Sequence, residues 1–431
     1  MAKMTFFLRL SARRRSLLVY VFLGFFLCYV IKSWGHQSPC PEMCQAACGG
    51  RNNLSHTRNQ TTLRRTTLFP RTPYRMPSKG QGSILPNESD SRNMRNILPN
   101  QLDSRNARNI LPNESDLRNA QAIAARCKEF GSEEYLAGNA SFFVPTDTVV
   151  NSFVPGWLVQ PSPCPAAGPF LLVVIPSLDS HTDRRTAIRN TWASPAYGHP
   201  WPARSALPND TVKVVFFLGV SNTAGDQDVV REASVYHDIV RANFSDTYHN
   251  LSLKMAAVLI WSATYCRGAR HVIKVDEDTF VHLPVLLRVL EILSAKISKG
   301  YVLGRKHRQA KPLVMRSGRW EVSKDVYPLP FFPNYVYGHS YVMSGDAIKA
   351  LHHAYQHTPH VIPNEDAYVT GVLAKTANIS RFRSDHFALL SKSASDCPLA
   401  DGKVISHTLY TNNTLIYKMW DLVRSGNCSH S

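Results

Sequence analysis

The chain has 431 residues, 44% of them hydrophobic, with 49 Lys and Arg against 31 Asp and Glu and a formal net charge of +18, so it can bury one large core or two smaller ones with residues left over. The charge is unevenly placed: residues 1–50 hold six basic residues against one acid, residues 51–126 thirteen against five, and residues 127–431 thirty against twenty-five. Most of the excess precedes the globular part, in a run poor in aromatics, which counts against nucleic-acid binding.

Lys3, Arg9 and Arg13 to Arg15 precede an apolar run from Leu17 to Ile31, which Lys32 closes. Such a run is a cleaved signal peptide or an uncleaved anchor. Tyr29, Ile31, Lys32 and Trp34 offer no small-residue cleavage site, so an anchor is expected over residues 16–34. The basic tail, residues 1–15, then stays cytosolic and the rest is lumenal. Eleven N-x-[ST] sequons agree with that address. So do eight cysteines outside the apolar run, which read as disulfide candidates rather than zinc ligands.

Residues 35–126 read as a disordered lumenal stem, rich in Arg, Asn, Thr, Ser and Pro from about Gly49 onward. Within it a thirteen-residue unit repeats from Ile84, Ile97 and Ile110. Each unit carries a Pro and few strong apolar residues, so a spacer is expected rather than a solenoid. A folded domain is expected over residues 127–431.

Phe170 to Ser177 has the length and β-branched content of a buried strand. In the following segment, His181 to Ser194, Arg185 and Arg189 share a helical face, with Thr182 or Asp183 as cap. An Arg pair near a helix start suits a diphosphate; it equally suits a solvated face. Lys213 to Val220 reads as a second strand and Glu232 to Cys266 as largely helical.

His271 to Leu283 then sets Val272, Ile273 and Val275 before Asp276, Glu277 and Asp278. Alternation along a strand would point Asp276 and Asp278 one way and Glu277 the other. Two carboxylates sharing one site suit a hard divalent cation; an acid triplet is also an ordinary solvated turn. Strand and helix alternate, which implies parallel pairing, and neither a dinucleotide fingerprint nor a P-loop motif occurs.

A helix is expected from Pro284 to about Lys296, then an aromatic segment in which Gly338 and Gly345 flank short strands, with loops that cover a groove. Asn364 is expected to cap a helix whose first residues, Glu365 and Asp366, offer a base to the cleft. His386, His407 and His430 are the C-terminal histidine candidates, with His407 of interest if it meets Asp278.

These blocks, in order, resemble the β-1,3-galactosyltransferase and β-1,3-N-acetylglucosaminyltransferase family of Golgi type II membrane enzymes. The matching stretches are RRTAIRNTW from Arg184, KVVFFLGV from Lys213, KVDEDTF from Lys274, the Trp320 to Ser344 block, NEDAYVTG from Asn364, and VISH ending at His407. The resemblance covers roughly residues 168–428. It implies an α/β, GT-A-like fold with a central mixed sheet flanked by helices, a UDP-sugar donor, Mn2+ or Mg2+, and inversion to a β-1,3 linkage.

Carried over, Asp366 is the expected base with Glu365 beside it, and Asp278 and His407 are the expected metal ligands. Arg185, Arg189, Lys274 and Asp276 fall near the nucleotide sugar. The expected reaction moves galactose from UDP-galactose to a glycan acceptor. N-acetylglucosamine transfer, or a glycan-binding protein without turnover, is the alternative. The resemblance also admits a homodimer. The departures are Glu277 for a middle Asp, Ser340-Tyr341-Val342 for the usual GYV, and EDAYVTG for EDVYVG.

Overall fold

The computed structural model describes residues 114–202, 211–221, 226–389, 397–408 and 412–426. The expected anchor and most of the expected stem lie outside them, as does His430; among the described residues no helix is long and apolar enough to cross a membrane.

The first described element corrects the stem boundary. Glu114–Ala125 is a helix, α1, with Ala120, Ile123 and Ala124 buried in the core. The last repeat thus runs into the fold: an alanine-rich stretch with one well-spaced isoleucine makes an apolar stripe, and burying Ile123 contributes about 2 kcal/mol.

Twelve strands follow among the described residues. They are β1 Lys128–Glu129, β2 Trp157–Val159, β3 Leu171–Pro176, β4 Val212–Val220, β5 Ile239–Ser245, β6 His271–Val275, β7 Phe280–Val281, β8 Tyr301–Lys306, β9 Val336–Ser344, β10 Ser380–Arg383, β11 Phe387–Ala388 and β12 Ser406–His407. Nine form a mixed sheet in the order β1-β10-β8-β9-β6-β3-β4-β5-β2. Its centre, β6, β3, β4 and β5, is parallel, and β9 joins β6 antiparallel. The small second sheet, β11-β12-β7, sits beyond the acid turn.

The helices are α2 Thr182–Asn190, α3 Asp226–Tyr236, α4 Leu251–Tyr265, α5 Leu283–Ser294, α6 Gly345–Gln356 and, near the C-terminus, α7 Asn413–Ser425. Alternate strand residues separate the core into two faces. Leu171, Val173, Ile175 and Phe216 meet α1, α2, α5 and α7, while Leu172, Val174 and Phe217 meet α4 and α6. Both faces are covered, which is why β3 and β4 read as continuous apolar runs. This α/β architecture with flanking helices is the one expected.

Three local expectations fail. The long helix from Glu232 is interrupted: α3 ends at Tyr236, His237 adopts a left-handed φ of 53°, and β5 follows. Ile239, Val240, Ala242 and Phe244 are buried there, so sheet packing outweighs helical pattern. The short strands expected beside Gly338 are one nine-residue strand, β9, with Gly338 inside it and not at its edge. And α2 begins after His181, so neither Thr182 nor Asp183 caps it.

The structure also shows a disulfide between Cys164 and Cys266, and Cys397 is disulfide-bonded as well.

Candidate active site

The acid triplet lies just past β6, whose last residue is Val275. It is a turn, with the Thr279 N–H donating to the Asp276 carbonyl at 3.0 Å and the Asp276 N–H donating to the His339 carbonyl of β9 at 2.9 Å. Strand alternation therefore does not set the side-chain directions, yet the outcome is the expected one: Glu277 turns away to pair with the His181 ring at the start of α2. Asp278 is half-buried, and its carboxyl is raised above its ordinary pKa by burial and by Asp276, with the Thr408 and Thr279 hydroxyls acting the other way. His407 stands in β12 opposite Phe280 of β7, and Thr408 bonds Asp278 at 3.4 Å. His386 instead contacts the Lys403 carbonyl at 2.9 Å.

Behind the turn lies a cluster built on Lys274. Its ammonium is buried and donates to Asp276 Oδ1 at 2.6 Å, to Glu365 Oε2 at 3.3 Å and to the Gly338 carbonyl. Burial opposes that charge, but Asp276 and Glu365 outweigh it and hold the group above its ordinary pKa. Glu365 is buried, and its other oxygen accepts from the Tyr341 hydroxyl. Burial lifts the Glu365 carboxyl, and Lys274 pulls it back. Both of its oxygens are engaged, so it anchors the cluster and is not placed to take a proton from a ligand.

Asp366 is different. Its Oδ1 accepts from the Ala367 N–H at 2.8 Å and its Oδ2 from the Gly338 N–H at 3.1 Å. It caps the π-helical turn Ala367–Leu373 that follows, the place expected for Asn364. Protein encloses the carboxyl, and part of its surface opens into a cavity of about 440 Å3 that it lines with Trp320, Met315, Leu313, Tyr335 and Tyr337. Enclosure and the Glu365 carboxylate raise its pKa to about 7, against the pull of the two N–H groups and Lys274. A carboxylate poised there accepts a proton near neutral pH.

Gly338 leaves little room for a side chain at this point. A Cβ there would stand 3.2 Å from Glu365 Oε2 and 3.3 Å from Asp366 Cβ, which is why a glycine interrupts a central strand.

The two arginines of α2 are placed otherwise than expected. Arg185 is fully buried and forks onto Glu232 through Nε at 2.8 Å and Nη2 at 2.6 Å, while also holding Ser177 and the Leu178 and Asp179 carbonyls. Arg189 pairs with Asp238 at 2.7 Å and Glu232 at 2.7 Å. Their guanidinium groups are committed to carboxylates, so they brace α2 and the loop after β3 instead of facing a diphosphate. Arg184, which the sequence reading passed over, is the α2 arginine whose charge reaches Asp278.

His339 was also missed. Its ring is 7% exposed and neither nitrogen is hydrogen-bonded among the described residues; burial lowers its pKa to about 4. It is thus a neutral imidazole beside the acid turn.

Among the described residues no group of three or more His, Cys, Asp or Glu stands close enough to hold a metal ion. A cation that takes one carboxylate and completes its shell with substrate phosphates and water fits Asp278.

A carboxyl of raised pKa in a cleft, near an acid turn that follows a central parallel strand, is a layout that α/β enzymes use for their sites. Residues 183–385 match the Galactosyltransferase family, the kind of domain that the sequence resemblance implied. Similar curated proteins include the human lactosylceramide 1,3-N-acetyl-beta-D-glucosaminyltransferase, 34% identical over 197 residues, 45% of this chain and 50% of that protein. The Danio rerio lactosylceramide 1,3-N-acetyl-beta-D-glucosaminyltransferase B is 30% identical over 247 residues, 56% of this chain and 63% of that protein. The chain thus spans about half the length of the curated relatives it matches. Among solved structures, a galactosyltransferase in complex with donor and acceptor sugar analogues aligns at TM-score 0.30 with 10% identity, covering 59% of this chain and 95% of that one. That score is too low for a common fold to be argued from it.

Proposed function

We propose that the protein is an inverting, metal-dependent β-1,3-N-acetylglucosaminyltransferase that uses UDP-N-acetylglucosamine and a glycan acceptor. The observation that carries the chemistry is Asp366: a carboxyl with a pKa near 7, oriented by two backbone N–H groups and open to a cavity. The names of the relatives favour N-acetylglucosamine over the galactose preferred from the sequence. Galactose remains the second reading, supported by the family's description.

In the reaction, Asp366 takes the proton of the acceptor hydroxyl as its oxygen attacks the anomeric carbon, and the bond to the UDP β-phosphate oxygen breaks with UDP leaving as an anion. A divalent cation held by Asp278, with phosphate oxygens and water as its other ligands, would neutralise charge on that leaving diphosphate. Lys274 holds Asp276 and Glu365 in place through its ammonium, and Glu365 in turn helps to raise the pKa of the Asp366 carboxyl. The disulfides support an oxidising compartment, consistent with a Golgi membrane protein whose catalytic domain is lumenal.

The test is a transfer assay of the full-length chain with a panel of UDP-sugars and Mn2+. Turnover highest with UDP-N-acetylglucosamine, lost with EDTA and restored by Mn2+, and a β-1,3 product are expected. Undiminished turnover in EDTA would remove the metal role, and highest turnover with UDP-galactose would reverse the donor assignment.

A further inference from the structure

Beside the cavity that Asp366 lines lies a second one of about 450 Å3, walled by Arg305, Lys306, Arg308 and Arg383. His307, Arg308 and Tyr337 line both, so the two form adjoining compartments. The fold gathers these cations. Arg305 and Lys306 end β8, and Arg308 lies just past it. The parallel register sets Arg383 of β10 opposite Gly304, alongside Arg305. The Arg308 N–H donates to the Tyr337 hydroxyl at 3.4 Å, tying the segment to β9 near Asp366.

Among the described residues the cations outnumber the acids here, with Glu133 acting on Lys306. No ion pair among the described residues involves any of the four cations; the one acid lining the cavity, Asp385, gives Arg305 its backbone carbonyl at 3.1 Å. Lys306 is pushed below its ordinary pKa by burial and by Arg383. His307 adds no charge near neutrality, because burial and Arg308 lower its pKa to about 4. Crowded like charges destabilise a fold unless an anion joins them.

Strand order locates the cluster relative to the acid turn. The acid turn ends β6, Asp366 contacts β9, and the cations end β8 and β10, in the order β10-β8-β9-β6. The base therefore stands between the acid turn, where the donor diphosphate is proposed to bind, and the cationic compartment, which falls on the acceptor's side. We propose, building on the transferase reading, that the acceptor is an anionic glycan: while its attacking hydroxyl meets Asp366, a sulfate ester or sugar carboxylate on it or on the adjoining residue enters the pocket of Arg305, Lys306, Arg308 and Arg383. Guanidinium forks bind either group in two-point fashion.

The experiment compares three acceptors with one glycan backbone: neutral, sulfated, and bearing a carboxylate sugar. Each is assayed with the full-length chain, its preferred UDP-sugar and Mn2+. A charged acceptor is expected to exceed the neutral one in kcat/KM by about tenfold at low salt; the arm that gains identifies the group. That ratio should fall toward one as salt rises, and also in the double variant Arg308→Gln with Arg383→Gln, whose side chains are solvent-exposed. Equal use of neutral and charged acceptors overturns the inference and leaves the transferase reading standing. A raised donor KM with an unchanged acceptor ratio overturns it too, giving the cations to the diphosphate. Donor hydrolysis without transfer to any of the three acceptors counts against the acceptor inference alone; no turnover of any donor removes both.

Discussion

Two of the places where the molecule buries charge are balanced differently. Under α2, Arg185 and Arg189 face Glu232 and Asp238, two cations against two carboxylates, with the Arg189 guanidinium also stacked 4.0 Å from the Tyr236 ring. Around Lys274, one ammonium serves Asp276, Glu365 and Asp366, and the last of these opens into a cavity. A closed, neutral network is what folding alone requires of buried charge. A surplus of carboxylate kept at the wall of a cleft, with a pKa moved toward neutrality, marks a site where a proton changes hands.

The largest expected effect follows from breaking the second cluster at its open end. Asp366→Asn keeps shape and removes the base, so transfer should fall by about 10³-fold while UDP binding persists. The sign for stability is opposite. Because the folded-state pKa of Asp366 is raised to about 7, the folded protein holds a proton that the unfolded chain releases from about pH 4 upward. Its contribution to stability is full at acid pH and is lost as pH rises through that window. The Asn variant should therefore melt no lower than wild type at pH 7.5. The same ionisation predicts a wild-type kcat/KM that rises about tenfold per pH unit below 7 and then levels. A flat profile between pH 5 and 7 would take the base role away from Asp366.

Breaking the first cluster should do the reverse. Arg185→Leu leaves Glu232 buried without its bidentate partner, for a loss of about 3–5 kcal/mol in denaturant unfolding. The donor KM of the protein that remains folded should stay within about twofold. A stable variant with a donor KM raised tenfold or more would instead return Arg185 to the diphosphate, where the sequence first put it.

That reversal shows what was legible in the chain. Spacing placed Arg185 and Arg189 on one face of a helix correctly, but it could not tell which way that face turned, because the deciding partners, Glu232 and Asp238, lie about fifty residues on, beyond β4 and just before the strand β5 whose apolar residues read as helix. The acid turn and the Glu365-Asp366 pair were visible because chemistry-bearing residues stood at the ends of apolar runs, where sheet topology brings separate segments together. His339 and the cationic end of β8 gave no such signal. A lone histidine in an aromatic stretch, and basic residues distributed over β8 and β10, acquire meaning only from register and burial.

Gly338 offers the finest probe of the comparison, since it lies against the open cluster and not the closed one. A methyl group there meets Glu365 Oε2 at 3.2 Å and Asp366 Cβ at 3.3 Å, tighter than ordinary contact, within a core that yields little. Gly338→Ala should cost about 1–3 kcal/mol through overpacking and should lower kcat about tenfold by turning the Asp366 carboxyl from its two N–H donors. The two losses separate the roles of the glycine. If kcat falls with the apparent pKa of the rate profile displaced, the side chain has moved the base. A loss of stability with kcat and pH profile unchanged would mean that the strand absorbs the methyl by shifting away from Glu365, and that the carboxyl is held by its helix cap at Ala367 alone.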